Sequence, residues 1–306
     1  MRPRTKSYAT ALHKAATNGN KEVVDALVEA NADVHSRNEW EWTPLMVAAN
    51  HGNNQVIGAL LDAKADVEAR DRREMTALMI AARGGHTAVL ELLIEANAQV
   101  NVVNDDCMTP LMLASAERNT GAARVLLRTH AVVNSTDDYS TTPLMHAAFS
   151  NSPEILKLLI DAKAEIDLCD FEQRTALLIA AYDGFTDCVQ VLLDAGAAVD
   201  AKDEGGETAL SIVACHDDTE TAQILIDAQA DLETRNLKNR TPLMIAAREG
   251  HAAMIQLLLT SKASLDARDD DNVNALMLAA ASGCVEALES LLEAVYVDED
   301  DDDNDD

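Results

Sequence analysis

The 306-residue chain carries a formal net charge of −29, so phosphate backbones and anionic lipid surfaces are repelled and neither nucleic acid nor membrane is an expected partner. Hydrophobic residues make up 48% and aromatic residues only 3%, so the interior must be built from Leu, Ile, Val, Met and Ala, as in thin layers of closely spaced helices. Cys107, Cys169, Cys188, Cys215 and Cys284 are odd in number and lack CxxC spacing, which points to a reducing compartment, and no apolar run approaches the ~20 residues of a bilayer span.

Residues 1–9 form a lead-in that is basic from Arg2 to Lys6, with no apolar stretch of the kind a signal peptide carries. From Thr10 the pattern Thr-(Pro/Ala)-Leu recurs at Thr43, Thr76, Thr109, Thr142, Thr175, Thr208 and Thr241, and a ninth copy begins at Asn274; every interval is 33 residues. An unbroken period identifies a repeat array over residues 10–297. In each unit the Thr is placed to cap a short helix, and Pro at the next position fits the first helical turn. A small pair follows, as in Ala48-Ala49 or Ala246-Ala247, and lets neighbouring helices approach. Gly then reverses the chain at Gly19, Gly52, Gly85, Gly184, Gly250 and Gly283. A second helix has apolar spacing, as in Leu90, Leu93 and Ile94, and ends in Ala-x-Ala before a polar stretch rich in Asp and Asn. The chain closes on Asp298–Asp306, eight acidic residues and Asn304, expected to be disordered by self-repulsion.

Thr-Pro-Leu, the small pair, the mid-unit Gly and the Ala-x-Ala segment together resemble the ankyrin repeat. The resemblance covers residues 10–297. It implies an all-α fold, a solenoid of nine helix-turn-helix units linked by β-hairpin loops. Departures from the family pattern are informative. The family's His after Thr-Pro-Leu survives as His13, while Met46, Met79, Met112, Met145, Met244 and Met277 replace it elsewhere; core packing, not soft-metal binding, is the expected role of this Met ladder. The family's Gly after the second helix survives only as Gly196; Asn31, Lys64, Asn97, His130, Lys163, Gln229 and Lys262 stand there instead. The mid-unit Gly is replaced by Arg118, Asn151 and Asp217, which marks repeats four, five and seven as softer joints. His146 occupies a column otherwise held by aliphatic residues and is expected to be a satisfied core histidine rather than a pH switch.

No GxSxG, HExxH, phosphate-binding loop or dinucleotide fingerprint occurs, and no His is paired with Cys at zinc spacing. An enzyme is therefore not expected, nor any catalytic residue, metal or cofactor. The resemblance implies binding through hairpin tips and inner helices, with variable columns four, three and one residues before each Thr and seven and eight after it. Trp40, Trp42, Tyr139, Phe149, Phe171 and Tyr182 all fall in those columns, and large rings there are expected to anchor a protein interface. Asp105, Asp106, Glu117, Asp138, Glu172 and Asp183 surround four of the rings, with Arg72, Arg73 and Arg83 as a basic patch on one flank and Lys238, Arg240 and Arg248 on the other. The expected partner is a protein segment mixing basic and apolar residues, bound by a scaffold or adaptor that is itself a monomer when free and cytoplasmic, with the nucleus as alternative. Two further readings are an acidic escort for a basic client such as a histone or ribosomal protein, and a methyl-lysine reader. For the reader, Trp40 and Trp42 would project to one side of an extended tip beside Glu39 and Glu41.

Overall fold

The computed structural model describes the backbone of residues 6–302 and the side chains of residues 11–294. The helices sort into two compact units, Met1–Glu165 and Ile166–Asp306. The first holds five helix pairs: α1 (Lys6–Asn18) and α2 (Lys21–Glu29), α3 (Pro44–Asn50) and α4 (Asn54–Asp62), α5 (Ala77–Gly84) and α6 (Thr87–Glu95), α7 (Pro110–Ala116) and α8 (Thr120–Arg128), α9 (Pro143–Phe149) and α10 (Pro153–Asp161). The second holds four: α11 (Ala176–Tyr182) and α12 (Thr186–Asp194), α13 (Ala209–His216) and α14 (Thr219–Asp227), α15 (Pro242–Glu249) and α16 (Ala252–Thr260), α17 (Ala275–Ser282) and α18 (Val285–Asp302). Within each unit the first helix of a pair stacks on the first helix of the next, and the second on the second.

Most inner helices have only seven or eight residues, too short to hold in water alone, and they form because the stack buries them from several sides. In α5 the run Ala77, Leu78, Met79, Ile80, Ala81, Ala82 is buried without a gap. The outer helices bury one stripe, such as Val89, Leu90 and Leu93 in α6, at about 1.5–3 kcal/mol for each large apolar side chain. Each inner helix after α1 starts at its Thr, or Asn274, whose side chain accepts the amide of the third helical residue, as Thr43 does from Met46 at 3.3 Å. Met of the ladder answers in kind: Met46 Sδ accepts the Thr43 amide at 3.4 Å and Met112 Sδ that of Thr109 at 3.3 Å. Five of the six ladder Met side chains are at most 1% exposed, which makes them core residues; Met277 is 51% exposed.

Backbone reversals occur where glycine was absent as readily as where it is present. Arg118, Asn151 and Asp217 have φ of 58°, 51° and 58°, and Asn31, Lys64, Asn97, His130, Lys163, Gln229 and Lys262 lie between 63° and 74°. A third left-handed column went unread: Glu41, Glu74, Cys107, Ser140, Gln173, Gly206, Asn239 and Asn272, one in each linking loop.

Two expectations are corrected. No strand forms among the described residues; each linking loop is a tight turn closed by one or two backbone bonds, such as Asn38 N–H to Trp42 O at 3.0 Å, so the hairpin never becomes long enough to pair as a ladder. At the other end, α18 carries helical backbone through residue 302, into the run expected to be disordered. Once nucleated on buried Ala287 and Leu291, a helix gains one bond for each added residue, and Glu and Val-Tyr-Val precede the acidic run without a breaker. Residues 303–306 of that tail lie outside the described residues.

Candidate interaction surface

Each linking loop is shaped by one Asn or Asp side chain. Asn38 Oδ1 accepts the amides of Trp40 and Trp42 at 2.9 and 3.0 Å. Asp71 does the same for Arg73 and Met75, Asn104 for Asp106 and Met108, and Asp137 for Tyr139 and Thr141. In the second unit Asp170, Asn236 and Asp269 repeat the arrangement. These residues favour such knots because a short polar side chain reaches its own backbone two residues on. The left-handed residue closes the turn, and the two residues after the Asn or Asp are left as the tip.

Neighbouring tips are tied through the remaining polar atom of the knot. Trp42 Nε1 donates to Asp71 Oδ2 at 2.8 Å, Asn236 Nδ2 donates to Glu207 Oε1 at 2.7 Å, and Arg240 Nε donates to Asp269 Oδ2 at 3.0 Å. Arginines add bonds to carbonyls one period on: Arg70 Nη1 to Val103 O at 3.1 Å and Arg235 Nη1 to Arg268 O at 2.8 Å. His13, the one retained family His, bonds through Nε2 to Trp42 O at 2.8 Å. His146 turns instead to its own loop, with Nε2 2.9 Å from Asp137 Oδ2. Burial holds its pKa below the ordinary value, and Asp137 opposes that shift. It is a satisfied histidine.

On the first unit the tips carry Trp40, Arg72, Arg73, Asp105, Asp106, Asp138 and Tyr139, while Arg83, Glu117 and Phe149 lie at the ends of inner helices. Trp40 is 62% exposed, Tyr139 72% and Phe149 68%, so the solvent position expected of these rings is found. On the second unit Phe171 and Glu172 occupy a tip and Tyr182 and Asp183 end α11, all four exposed. Tyr182 meets the edge of His216 with ring centroids 5.5 Å apart and an interplanar angle of 87°, and keeps most of its surface in solvent. Leu237, 75% exposed beside Lys238, is a further apolar tip residue, which neither the ring pattern nor the charge pattern signals.

The charges are less segregated than the sequence pattern indicated. Arg73 is ion-paired with both Asp105 and Asp106, so one member of the basic flank is spent on two of the acidic centre and offsets part of their charge. Glu172 pairs with Arg174 at 2.9 Å, and Arg240 with Asp269. Asp138 accepts the Cys107 thiol, and that bond is the main cause of the raised Cys107 pKa. Among the described residues, Arg72, Arg83, Glu117 and Asp183 are in no ion pair.

The Trp pair differs from its expected arrangement. Glu41 between the rings has φ of 64°, which breaks the alternation of an extended strand, and Trp42 is half-buried and fixed by Asp71. Glu41 itself faces Arg37 at 3.8 Å. Both rings nonetheless line one groove of about 1140 Å³ in the first unit. Its floor is Val47, Met75 and Ile80, all buried, and its walls hold Lys14, Arg37, Arg72, Arg73 and Arg83. Lys14 and Arg37 were not anticipated. They lie outside the five variable columns, although the period places Lys14 on the same helix position as Val47 and Ile80.

Comparison with known proteins agrees with the geometry. The family model described as ankyrin repeats (3 copies) matches residues 12–104, 54–137, 78–170, 144–236 and 210–303. A stretch of 41 residues is 49% identical to protein phosphatase 1 regulatory subunit 27 of Mus musculus, and equally to that of Homo sapiens. It amounts to 13% of this chain and covers 27% of the length of each of those relatives.

Proposed function

Because the chain belongs to the ankyrin-repeat family, we propose that it is a non-catalytic scaffold or adaptor whose tips and inner-helix ends hold a protein partner. The observation that carries this reading is the contrast between surface and interior. Tyr139, Phe149, Phe171 and Tyr182 are 64–72% exposed, whereas the buried core contains no aromatic residue among the described side chains. Rings held in water serve neither packing nor solubility, and aromatic side chains are frequent interface anchors. Asp138 shares a column with Phe171, and Glu117 and Asp183 fall in the column next to that of Phe149 and Tyr182, which favours a partner in which basic residues are interspersed among apolar ones.

The double variant Phe149→Ala with Tyr182→Ala is expected to lose partner capture from cell extract while keeping the wild-type helical signal and melting temperature. Retained capture would remove these rings from the interface. Salt separates this reading from a basic-client escort. An interface anchored by rings loses little affinity between low and high ionic strength, whereas one held by charge alone loses it steeply. The fixing of Trp42 by Asp71 counts against a methyl-lysine cage, which needs both rings free to close on a cation.

A further inference from the structure

The groove at the first three repeats has a chemistry opposite to that of the molecule as a whole. The chain carries −29, yet this concavity is lined by five basic side chains against Glu39 and Asp71 alone. Asp71 is fully engaged, by the Trp42 indole and by the amides of Arg73 and Met75. Arg37 is spent on the carbonyls of Glu41 and Arg70, and Arg73 on Asp105 and Asp106. Lys14, Arg72 and Arg83 remain, in no ion pair among the described residues, around an apolar floor. Three like charges turned toward one groove repel each other, although carboxylates are abundant elsewhere on the surface. Trp40 at the rim presents an exposed ring with no role in the interior.

We infer that this groove is a second docking site, for a short acidic segment of a partner protein that carries an apolar residue among Asp and Glu. Carboxylates meet Lys14, Arg72 and Arg83, and the apolar side chain lies between Trp40 and the floor of Val47, Met75 and Ile80. A short segment fits better than a nucleic acid. A continuous polyanion leaving the groove meets Glu117 and Asp138 of the same unit, whereas a peptide can change sign there. The site does not depend on Phe149 or Tyr182, so it stands or falls separately from the interface proposed above.

The chain's two Trp residues are both in this groove, so its tryptophan emission reports on the site without a label. The test is a titration of the full chain with a short Asp/Glu-rich peptide bearing one central Leu. A saturable change in Trp emission is expected, weakened at least about tenfold in the Arg72→Glu, Arg83→Glu variant and absent with the peptide's Lys-for-Glu counterpart. If charge reversal perturbs the helical signal, Arg72→Gln with Arg83→Gln carries the same expectation. No response to the acidic peptide, or equal binding of its basic counterpart, overturns the proposal. So does tighter binding of a single-stranded oligonucleotide, which makes the groove a nucleic-acid site. Tighter binding of a peptide spanning residues 293–306 of this chain likewise overturns it, in favour of a second copy as occupant.

Discussion

Lys163 and Lys262 hold left-handed backbone, at φ of 67° and 74°, where a side chain brings Cβ against the following carbonyl. Gly196 occupies the equivalent place at φ of 87°, and nothing lies within 4 Å of where its Cβ would be. The position therefore asks only for backbone freedom, not for a missing side chain. Lys163→Gly is expected to relieve roughly 1–2 kcal/mol of strain, partly offset by the greater entropy of the unfolded chain, for a net gain of about 0.5–1 kcal/mol. A rise in melting temperature of about 2 °C checks it, and an unchanged or lower value in both Lys163→Gly and Lys262→Gly rejects it.

His146 makes a prediction of a different kind. Its folded pKa lies below its unfolded value of about 6.5, so the unfolded chain binds the extra proton first. The stability tied to the neutral imidazole is present at neutral pH and is lost as pH falls through the unfolded value toward the folded one. In His146→Leu, which matches the aliphatic residues of its column, the urea midpoint should fall less steeply between about pH 7 and pH 5 than in the wild type. Parallel slopes in the two proteins would remove His146 from the pH dependence.

At the scale of the helix pair, the residue ten places after the Thr joins one pair to the one before it in several repeats. Asn53 Nδ2 donates to Ala16 O at 2.7 Å, Asn119 Nδ2 to Arg83 O at 2.7 Å, and His251 Nε2 lies 3.0 Å from Cys215 O. Such close approach explains two glycines beyond their dihedral angles. A Cβ on Gly19 would fall 2.8 Å from Asn53 Oδ1, and one on Gly85 would fall 2.5 Å from Asn119 Oδ1. In the second unit the column holds Asp218, which has no proton to give. It caps the Thr221 amide at 3.1 Å and stays 3.9 Å from the site of a Gly184 Cβ. Asp218→Asn keeps the cap and supplies the missing donor, by equivalence to the carbonyls of Ala181 and Tyr182. We expect about 1 kcal/mol of stabilisation and slower amide exchange in α13 and α14. Faster exchange there would contradict the equivalence.

These joints also define what the sequence discloses. Helix starts, the small pairs and the core Met ladder were readable because each follows from a local preference repeated at a fixed interval. The left-handed tip column was not, because Glu41, Glu74 and Gln173 are poor advertisements for positive φ and only Gly206, Asn239 and Asn272 signal it. The knots were visible as Asp and Asn but not as knots, since a polar loop and a side chain that builds its own turn look alike in composition. Arg73 was assigned to a separate basic patch because one-dimensional spacing does not show how far a guanidinium reaches. The period itself places Arg73 one unit from Asp106, and the ion pair follows once both tips have the same shape.

Over the whole molecule, charge and ring placement say more about use than the fold does. The fold needs thin layers of small and aliphatic residues, and it is met by buried Leu and Ala in every repeat, with Ile, Val and Met in most. It makes no demand for exposed Trp, Tyr or Phe, nor for a basic groove in a chain of −29. Such features are not required to build the layers, and under the proposed function they are what a partner meets. The family membership sets the architecture, while the relatives that match over 41 residues resemble too little of the surface to carry a partner across.

The self-closing knots have a consequence for change. Because each loop is folded by its own Asn or Asp, by backbone amides and by its own left-handed residue, the side chains at the two tip positions are not needed for the turn they ride on. Pairs as unlike as Glu39-Trp40, Arg72-Arg73, Asp138-Tyr139 and Leu237-Lys238 occupy the same scaffold. Under the proposed function, specificity can therefore be rewritten two letters at a time, by mutation or by design, with the turn that displays it kept.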